Sequence, residues 1–226
     1  MRTLALAFTL SLPLFAGSRA PVLVELFTSE GCSSCPPADR LLADLDSSAI
    51  VLEVHVDYWD HQGWRDPFSS HDFTQRQESY GRMFNLDSVY TPEMVVDGVA
   101  EFNGTERARA QAEIARAAAR KKAAISLARV PAGLHVAIEA APADASVYLA
   151  LADDRGESQV RGGENDGRHL QHRSILRSVR KIGSVKRGAG FTRDVELPGA
   201  AATQRVIVFL QESGPGRVSG AALLTP

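Results

Sequence analysis

The sequence predicts a mixed α/β unit followed by an all-β, sandwich-like unit, on three observations. Residues 21–124 alternate strand-length apolar runs with segments of helical periodicity, in the order β-α-β-α-β-β-α. Residues 125–226 contain short β-prone runs divided by Pro, Gly, Asp and Asn, a pattern typical of an antiparallel sandwich. The chain's two cysteines lie where the first strand meets the first helix. We therefore predict two domains, 21–124 and 125–226.

The composition is that of a globular chain whose partners are not selected by net charge. The 226 residues are 44% hydrophobic, which is sufficient for packed cores. Lys and Arg number 25 against 27 Asp and Glu, so no whole-chain field attracts nucleic acid or an anionic membrane. We expect no nucleic-acid partner.

Residues 1–20 have the pattern of a cleaved signal peptide. Arg2 precedes an apolar run over residues 4–15, and small residues, Ser18 and Ala20, stand three and one positions before the expected cleavage. The run is shorter than the roughly 20 apolar residues that a membrane span needs. We expect a periplasmic or secreted protein with no stable membrane insertion after signal cleavage. In such an oxidising compartment two nearby thiols pair unless a reductant or a metal holds them.

The first strand and the first helix flank the cysteines. The run PVLVELFT, from Pro21, is apolar on both faces, as in a buried strand. In PPADRLLADL three leucines share one side of a helix, and Pro36 and Pro37 are tolerated only in its first turn. Cys32 and Cys35 therefore lie at a strand-to-helix junction.

The second strand, residues 50–57, has one apolar and one polar face. Strict alternation sets Glu53, His55 and Asp57 opposite aliphatic residues. We expect either an edge strand or a strand that lines a site.

A helix, a hairpin and a last helix complete residues 21–124. The segment SHDFTQRQESYGRMFNL carries an apolar helical stripe that begins at Phe73. Asp97-Gly98 separates two short β-prone runs, which is a strong hairpin signal. The last helix follows, with Asn103 or Thr105 as its cap and basic residues at its end, as the helix dipole favours.

The C-x-x-C spacing at a helix start suits disulfide exchange. Unpaired amides and the helix dipole stabilise a thiolate at Cys32, which would attack, while Cys35, one turn on, would resolve the mixed disulfide. A purely structural bridge gains little here, because closing a four-residue loop is worth roughly 1.9 kcal/mol, against about 4.7 kcal/mol for a hundred-residue loop. We predict that Cys32 and Cys35 are catalytic.

A metal site on the same cysteines is the alternative. Two thiolates can hold Cu(I), with His55 as a further ligand. A tetrahedral zinc site would need more Cys or His at compact spacing, and the sequence has no second C-x-x-C. His169 and His172 would lie on opposite faces of a strand, so we predict instead a basic loop and strand packed near the first domain.

The element order, the cysteine pair after the first strand and a proline before the hairpin together resemble the thioredoxin-like core in its glutaredoxin-type form. The resemblance implies that the His55 strand lies at a sheet edge. It also implies that Thr91-Pro92 is a cis peptide and that Thr91 offers its backbone to an extended substrate. Glu25 would correspond to a buried acid that transfers protons.

The loop DYWDHQGWRDPF holds both tryptophans of the chain, Trp59 and Trp64. Beside a catalytic face they would form an apolar platform that binds substrate. They would equally serve to anchor the loop on the second domain.

Four segments, FTSEGCSSCPPADRLL, VDYWDHQGWRDPF, VYTPEMVVDG and RGGENDGRHLQH, are together similar to a bacterial secreted family of unknown function with a thioredoxin-like fold. The resemblance implies that Cys32 and Cys35 form a redox pair with Pro92 opposite. We expect an exported thiol-disulfide oxidoreductase or redox sensor without a cofactor, whose partners are protein or small-molecule thiols and disulfides. The alternatives are a copper-binding or copper-delivery protein and a non-catalytic secreted binding module.

Overall fold

The computed structural model describes residues 20–226, apart from the side chains of residues 200 and 201. Except for Ala20, the predicted signal peptide lies outside the described residues. None of the helices within residues 20–226 has the length and apolar character needed to cross a membrane.

The elements in chain order are β1 (Leu23–Thr28), α1 (Pro36–Leu45), β2 (Ile50–His55), α2 (His71–Phe84), β3 (Glu93–Val96), β4 (Ala100–Asn103), α3 (Arg107–Ala118), β5 (Ile125–Val130), β6 (Gly133–Ile138), β7 (Ala145–Gln159), β8 (His169–Val185), β9 (Phe191–Val195), β10 (Gln204–Gln211) and β11 (Val218–Leu224).

These strands form one large mixed sheet and one small sheet. The large sheet has the order β11-β10-β7-β8-β2-β1-β3-β4, and the small sheet has the order β5-β6-β9. In the large sheet β2 runs parallel to β1 and to β8, while the other neighbouring strands are antiparallel. The fold is therefore mixed α/β, with a large sheet and few helices. The order β-α-β-α-β-β-α predicted for residues 21–124 is observed.

Strand β2 lies inside the large sheet, so the prediction that it lies at an edge is wrong. It pairs with β1 on one side and with β8 on the other, where Glu53 is opposite Ile175. Both Glu53 and His55 are fully buried. An alternating polar face has the same pattern in an exposed edge strand and in a buried strand whose polar groups find partners. The covering strand comes from the distant half of the chain.

Three hydrophobic cores hold the layers together. One lies between the β1 side of the large sheet and the helices α1 and α3. The second lies on the opposite face under α2 and continues from Phe27 and Tyr80 to Phe209 of β10. The third fills the space between the small sheet and β7, β8 and β10, around Leu134 and Leu149. Strands of both predicted domains thus share a sheet and a core, and the division at 124/125 stays a prediction.

Two of the three helices begin with the residues that local helix-start preferences favour. The prolines occupy the first turn of α1 as predicted, with Cys35 as the N-cap. Ser70 caps α2 by accepting a hydrogen bond from the backbone N–H of Asp72. The predicted cap of α3 is wrong, because Glu106 holds the N-cap position and makes no side-chain capping hydrogen bond. Its Oε1 accepts from the backbone N–H of Asn103 instead, and Asn103, which ends β4, accepts from Thr105.

The predicted hairpin at Asp97-Gly98 is confirmed, and it joins β3 to β4. Both residues have positive φ, 49° and 64°, as a type I′ turn requires. A Cβ on Gly98 would lie 2.4 Å from the carbonyl oxygen of Gly216, in the loop between β10 and β11. Two hairpins from different halves of the chain therefore meet at this glycine.

We expect Gly98→Ala to lower the free energy of unfolding by about 3 kcal/mol, since it adds a backbone clash to the cost of a left-handed alanine. Gly188→Ala is the matched control, because Gly188 has φ 76° but no atom within 4 Å of its added Cβ. That control should lose only about 1–2 kcal/mol. Urea unfolding followed by circular dichroism measures both losses, and equal losses would contradict the contact with Gly216.

Candidate functional site

The two cysteines form a disulfide in the turn that precedes α1. The backbone N–H of Cys32 donates to the carbonyl of Ser29 at 3.1 Å, and that of Cys35 donates to the carbonyl of Cys32 at 3.2 Å. The carbonyl of Cys35 then accepts from Ala38 and Asp39, which opens the helix. Both cysteines are fully buried. The pair thus lies at the predicted strand-to-helix junction, beneath other parts of the protein.

A loop from the second half of the chain, residues 160–168, lies against the turn that holds the cysteines, and we call it the cover loop. Glu164 Oε2 accepts hydrogen bonds from the backbone N–H and the Oγ of Ser33, at 3.0 and 2.6 Å. The buried Asn165 donates from Nδ2 to the carbonyl of Cys32 at 2.8 Å. The cover loop thereby bonds directly to the turn that holds the disulfide.

The loop with the two tryptophans packs beside the cysteines. Trp59 Nε1 donates to Thr91 Oγ1 at 2.8 Å, and Trp64 Nε1 donates to Glu30 Oε2 at 2.7 Å. Close to them, a Cβ on Gly162 of the cover loop would lie only 2.3 Å from the carbonyl oxygen of Gly63. These contacts anchor the aromatic loop to both halves of the chain. Substrate binding by the tryptophans stays a prediction.

The peptide bond between Thr91 and Pro92 is cis, as predicted. Pro92 is buried next to the first turn of α1. A Cβ on Gly104 would lie 3.2 Å from Pro92 Cβ and 3.1 Å from Ala38 Cβ. Thr91 is partly exposed at the same end of the sheet. The structure therefore brings Cys35, Pro92 and Thr91 to one region.

Glu25 is buried in an ion pair on the α2 side of the sheet. Arg76 donates to both of its carboxylate oxygens, at 2.6 and 2.9 Å, and Tyr80 donates at 2.6 Å. Burial and the negative charge of Glu25 together outweigh Arg76 and raise the pKa of Tyr80 well above its ordinary value. The helix that follows the cysteines packs on the other face of the sheet. Proton transfer by Glu25 stays a prediction, and its observed role is to neutralise Arg76.

The α1 face of the sheet carries a buried polar cluster that the sequence analysis did not predict. His172 of β8 lies 2.6 Å from Glu53 through Nδ1 and 3.2 Å from Glu30 through Nε2. His55 Nδ1 lies 2.7 Å from Asp66 Oδ2. Burial opposes a charged imidazole, yet hydrogen bonds to Glu30 and Glu53 raise the pKa of His172 to about 9. Against the same penalty, Asp66 raises the pKa of His55 well above its usual value.

Asp39 of α1 adds a further carboxyl group next to this cluster. Thr28 Oγ1 donates to its Oδ1 at 2.7 Å. Burial, together with the negative charge of Glu53, raises the pKa of Asp39 to about 7. The buried region below α1 thus holds several titratable groups.

One part of this cluster, the polar face of β2, is visible in the sequence. The sequence also places His172 on a strand near the first domain. It does not pair that strand with β2, because local periodicity does not record which strands are neighbours. Within residues 20–226, one group of three His, Cys, Asp or Glu side chains has its ligand atoms all within 4.8 Å of one another, and it consists of Glu53, His55 and His172. Copper binding by Cys32, Cys35 and His55 stays a prediction.

Most of the chain matches a known protein family. A family described as a protein of unknown function, DUF1223, matches residues 23–211. This range runs from the start of β1 to the end of β10. The chain belongs to the DUF1223 family. The resemblance to a family of unknown function that the sequence motifs suggested is therefore confirmed.

Two solved structures resemble this DUF1223 chain. A crystal structure of a protein from Agrobacterium tumefaciens, a structural genomics target, is 26% identical with a TM-score of 0.80, over 93% of this chain and 96% of that chain. HBP35 of Porphyromonas gingivalis is 13% identical with a TM-score of 0.60, over 92% of this chain and 75% of that chain. The second likeness shows a shared fold alone. No curated protein matches the chain significantly.

Glu93, directly after the cis proline, is a buried carboxyl group. Burial raises its pKa to about 7 from an ordinary value of 4.5, although Gln77 Nε2 donates to its Oε2 at 2.6 Å. The folded state therefore holds this proton more tightly than the unfolded chain does. Its stabilising contribution is complete below pH 4.5 and is lost as the pH rises to about 7.

Since Glu93→Gln cannot lose a proton, we expect this variant to gain stability relative to the wild type between pH 4.5 and 7, by on the order of 2 kcal/mol. Urea unfolding of both proteins at pH 4.5, 6 and 7.5 measures the difference. A difference that stays constant over this range would show that Glu93 does not titrate abnormally.

Proposed function

We propose that this chain is an exported thiol-disulfide oxidoreductase with a thioredoxin-like core. The observation that carries the proposal is the disulfide Cys32–Cys35 at the start of α1, with the cis Pro92 beside the same helical turn. The strand order β2-β1-β3-β4, with α1 and α3 on one face and α2 on the other, supports the thioredoxin-like core. Two facing layers, the small sheet and β7-β8-β10, support a sandwich-like second part.

In this proposal a substrate dithiol reduces the pair in two exchanges. One substrate thiolate attacks the sulfur of Cys32, which forms a mixed disulfide and releases Cys35 as a thiolate. The second substrate thiolate then attacks the substrate sulfur of the mixed disulfide and releases Cys32. Two electrons pass to the pair, and the substrate leaves as a disulfide. The same steps in reverse reduce a substrate disulfide. The N-terminus of α1 stabilises a thiolate in either direction.

In this proposal substrate access depends on the cover loop, because both cysteines are fully buried and the loop is hydrogen-bonded to the turn that holds them. Its two attachments differ in exposure: Glu164 and Ser33 are at the surface, whereas Asn165 is buried. Water competes for the exposed contact, so opening would begin there. A pair that reacts only when this loop moves is also compatible with a redox sensor.

Weakening the cover loop should therefore speed reduction of the disulfide. Glu164→Gln replaces the charged acceptor of Ser33 with a neutral amide, and Asn165→Ala removes the donor to Cys32. Losing about 1.4 kcal/mol of buried attachment at Asn165 raises the open population about tenfold. We expect the rate of reduction by dithiothreitol to rise about tenfold in Asn165→Ala, and by a smaller factor in Glu164→Gln, whose contact is exposed to solvent. Asp166→Asn, an exposed change in the same loop, is the control and should react like the wild type; unchanged rates in the first two would contradict the gating.

The activity itself is tested by equilibrating the purified mature protein with glutathione redox buffers and a peptide dithiol. We expect reversible exchange, which Cys32→Ser abolishes because no disulfide then remains. A pair that stays oxidised in millimolar reduced glutathione would exclude this activity. Competition with a Cu(I) chelator distinguishes the alternatives: the copper hypothesis expects tight Cu(I) binding by the reduced protein, and a non-catalytic binding module expects neither result.

A further inference from the structure

Three side chains of the buried cluster converge on one point between β2 and β8. Glu53 Oε1 lies 2.6 Å from Nδ1 of His172 and 3.5 Å from Nε2 of His55. All three side chains are at most 1% exposed. Two imidazoles and one carboxylate are a donor set that divalent transition metals such as zinc accept.

The second polar atom of each of these side chains is held by another group. His55 Nδ1 bonds to Asp66 Oδ2 at 2.7 Å, and His172 Nε2 bonds to Glu30 Oε1 at 3.2 Å. Glu53 Oε2 accepts from the backbone N–H of the residue after His172, at 2.7 Å. Carboxylates behind ligating histidines fix the tautomer and the ring orientation in metal sites. The outer groups here leave one donor atom of each side chain directed inward.

One of these inward atoms has no hydrogen-bond partner. His55 Nε2 is fully buried and makes no hydrogen bond of good geometry, because its ion-pair partner, Glu53 Oε1, lies 3.5 Å away. A metal ligand must be a neutral imidazole, so the ion would take the place of the imidazolium proton between His55 Nε2 and Glu53. A buried unpaired nitrogen is a feature that calls for an explanation of this kind.

We propose that Glu53 Oε1, His55 Nε2 and His172 Nδ1 bind a divalent transition-metal ion, with Zn²⁺ the best fit. Zinc bound at about 2.0–2.2 Å to tetrahedral ligands holds their donor atoms about 3.4 Å apart. The distances from Glu53 Oε1 to His172 Nδ1 and to His55 Nε2, 2.6 and 3.5 Å, fall on either side of that value.

The ion has a route of entry and a suitable charge environment. His172 lines an open groove of about 770 Å³ between the end of α1 and the β7–β8 hairpin. The carboxylates of Glu30, Glu53 and Asp66 surround the ligand atoms. A dication in this position offsets negative charge that the low-dielectric interior otherwise leaves closely packed. The site uses neither cysteine, so it is independent of the proposed redox activity.

The test is a Zn²⁺ titration of the chelator-treated, oxidised protein, in competition with a chromophoric chelator. Keeping the disulfide intact excludes thiolate ligands. We expect one Zn²⁺ per chain and a rise in melting temperature. His55→Asn keeps a donor to Asp66 but deletes Nε2, and His172→Gln keeps a donor to Glu30 but deletes Nδ1. Each should weaken binding by at least about 100-fold, and Asp66→Asn by about 10- to 100-fold.

His169→Gln is the matched control, because His169 lies on the same strand but is exposed. It should bind Zn²⁺ like the wild type. Absence of stoichiometric binding by the wild type, or wild-type affinity in folded His55→Asn and His172→Gln, would overturn the proposal. Should a variant fail to fold, Co²⁺ bound to the wild type decides: intense tetrahedral d–d absorption without a sulfur charge-transfer band supports the site, and a weak octahedral spectrum rejects it.

Discussion

The pairing of β8 with β2 is the constraint on which the rest of the structure depends. It places β2 inside the large sheet and takes Glu53 and His55 out of water. Buried charged groups are tolerated only when other groups neutralise and hydrogen-bond them. The partners come from the covering strand itself, through His172, and from Asp66 in the loop after β2. This one strand pairing thus buries the charged groups that need partners, and it also supplies most of those partners.

The same pairing places the cover loop over the cysteines. This loop joins β7 to β8, so its position follows once β8 is docked beside β2. Asn165 then reaches the backbone of the cysteine turn, and Glu164 reaches Ser33. A cysteine pair at a helix start is usually discussed in terms of thiolate stability. In this protein both cysteines are fully buried, so access would be a second control under the proposed activity.

Glu30 connects the polar cluster to the cysteine turn. Its carboxylate contacts His172 and the indole N–H of Trp64, and its backbone carbonyl accepts from Asn165 of the cover loop. Cys32 is only two residues further along the chain. A change in charge at the cluster therefore acts on a carboxylate that is covalently close to the disulfide. The polar cluster and the cysteine turn share no side chain, and Glu30 is the residue that contacts both.

The sequence by itself determined the features that depend on neighbouring residues. The start of α1 at Pro36, the turn at Asp97-Gly98 and the position of the cysteines followed from spacing and local backbone preferences. Only the tertiary structure decided that β2 is covered, that His172 faces Glu53 and that a distant loop bonds to the cysteine turn. These contacts join residues more than a hundred positions apart. Periodicity records which face of a strand is polar, but not which strand will cover it.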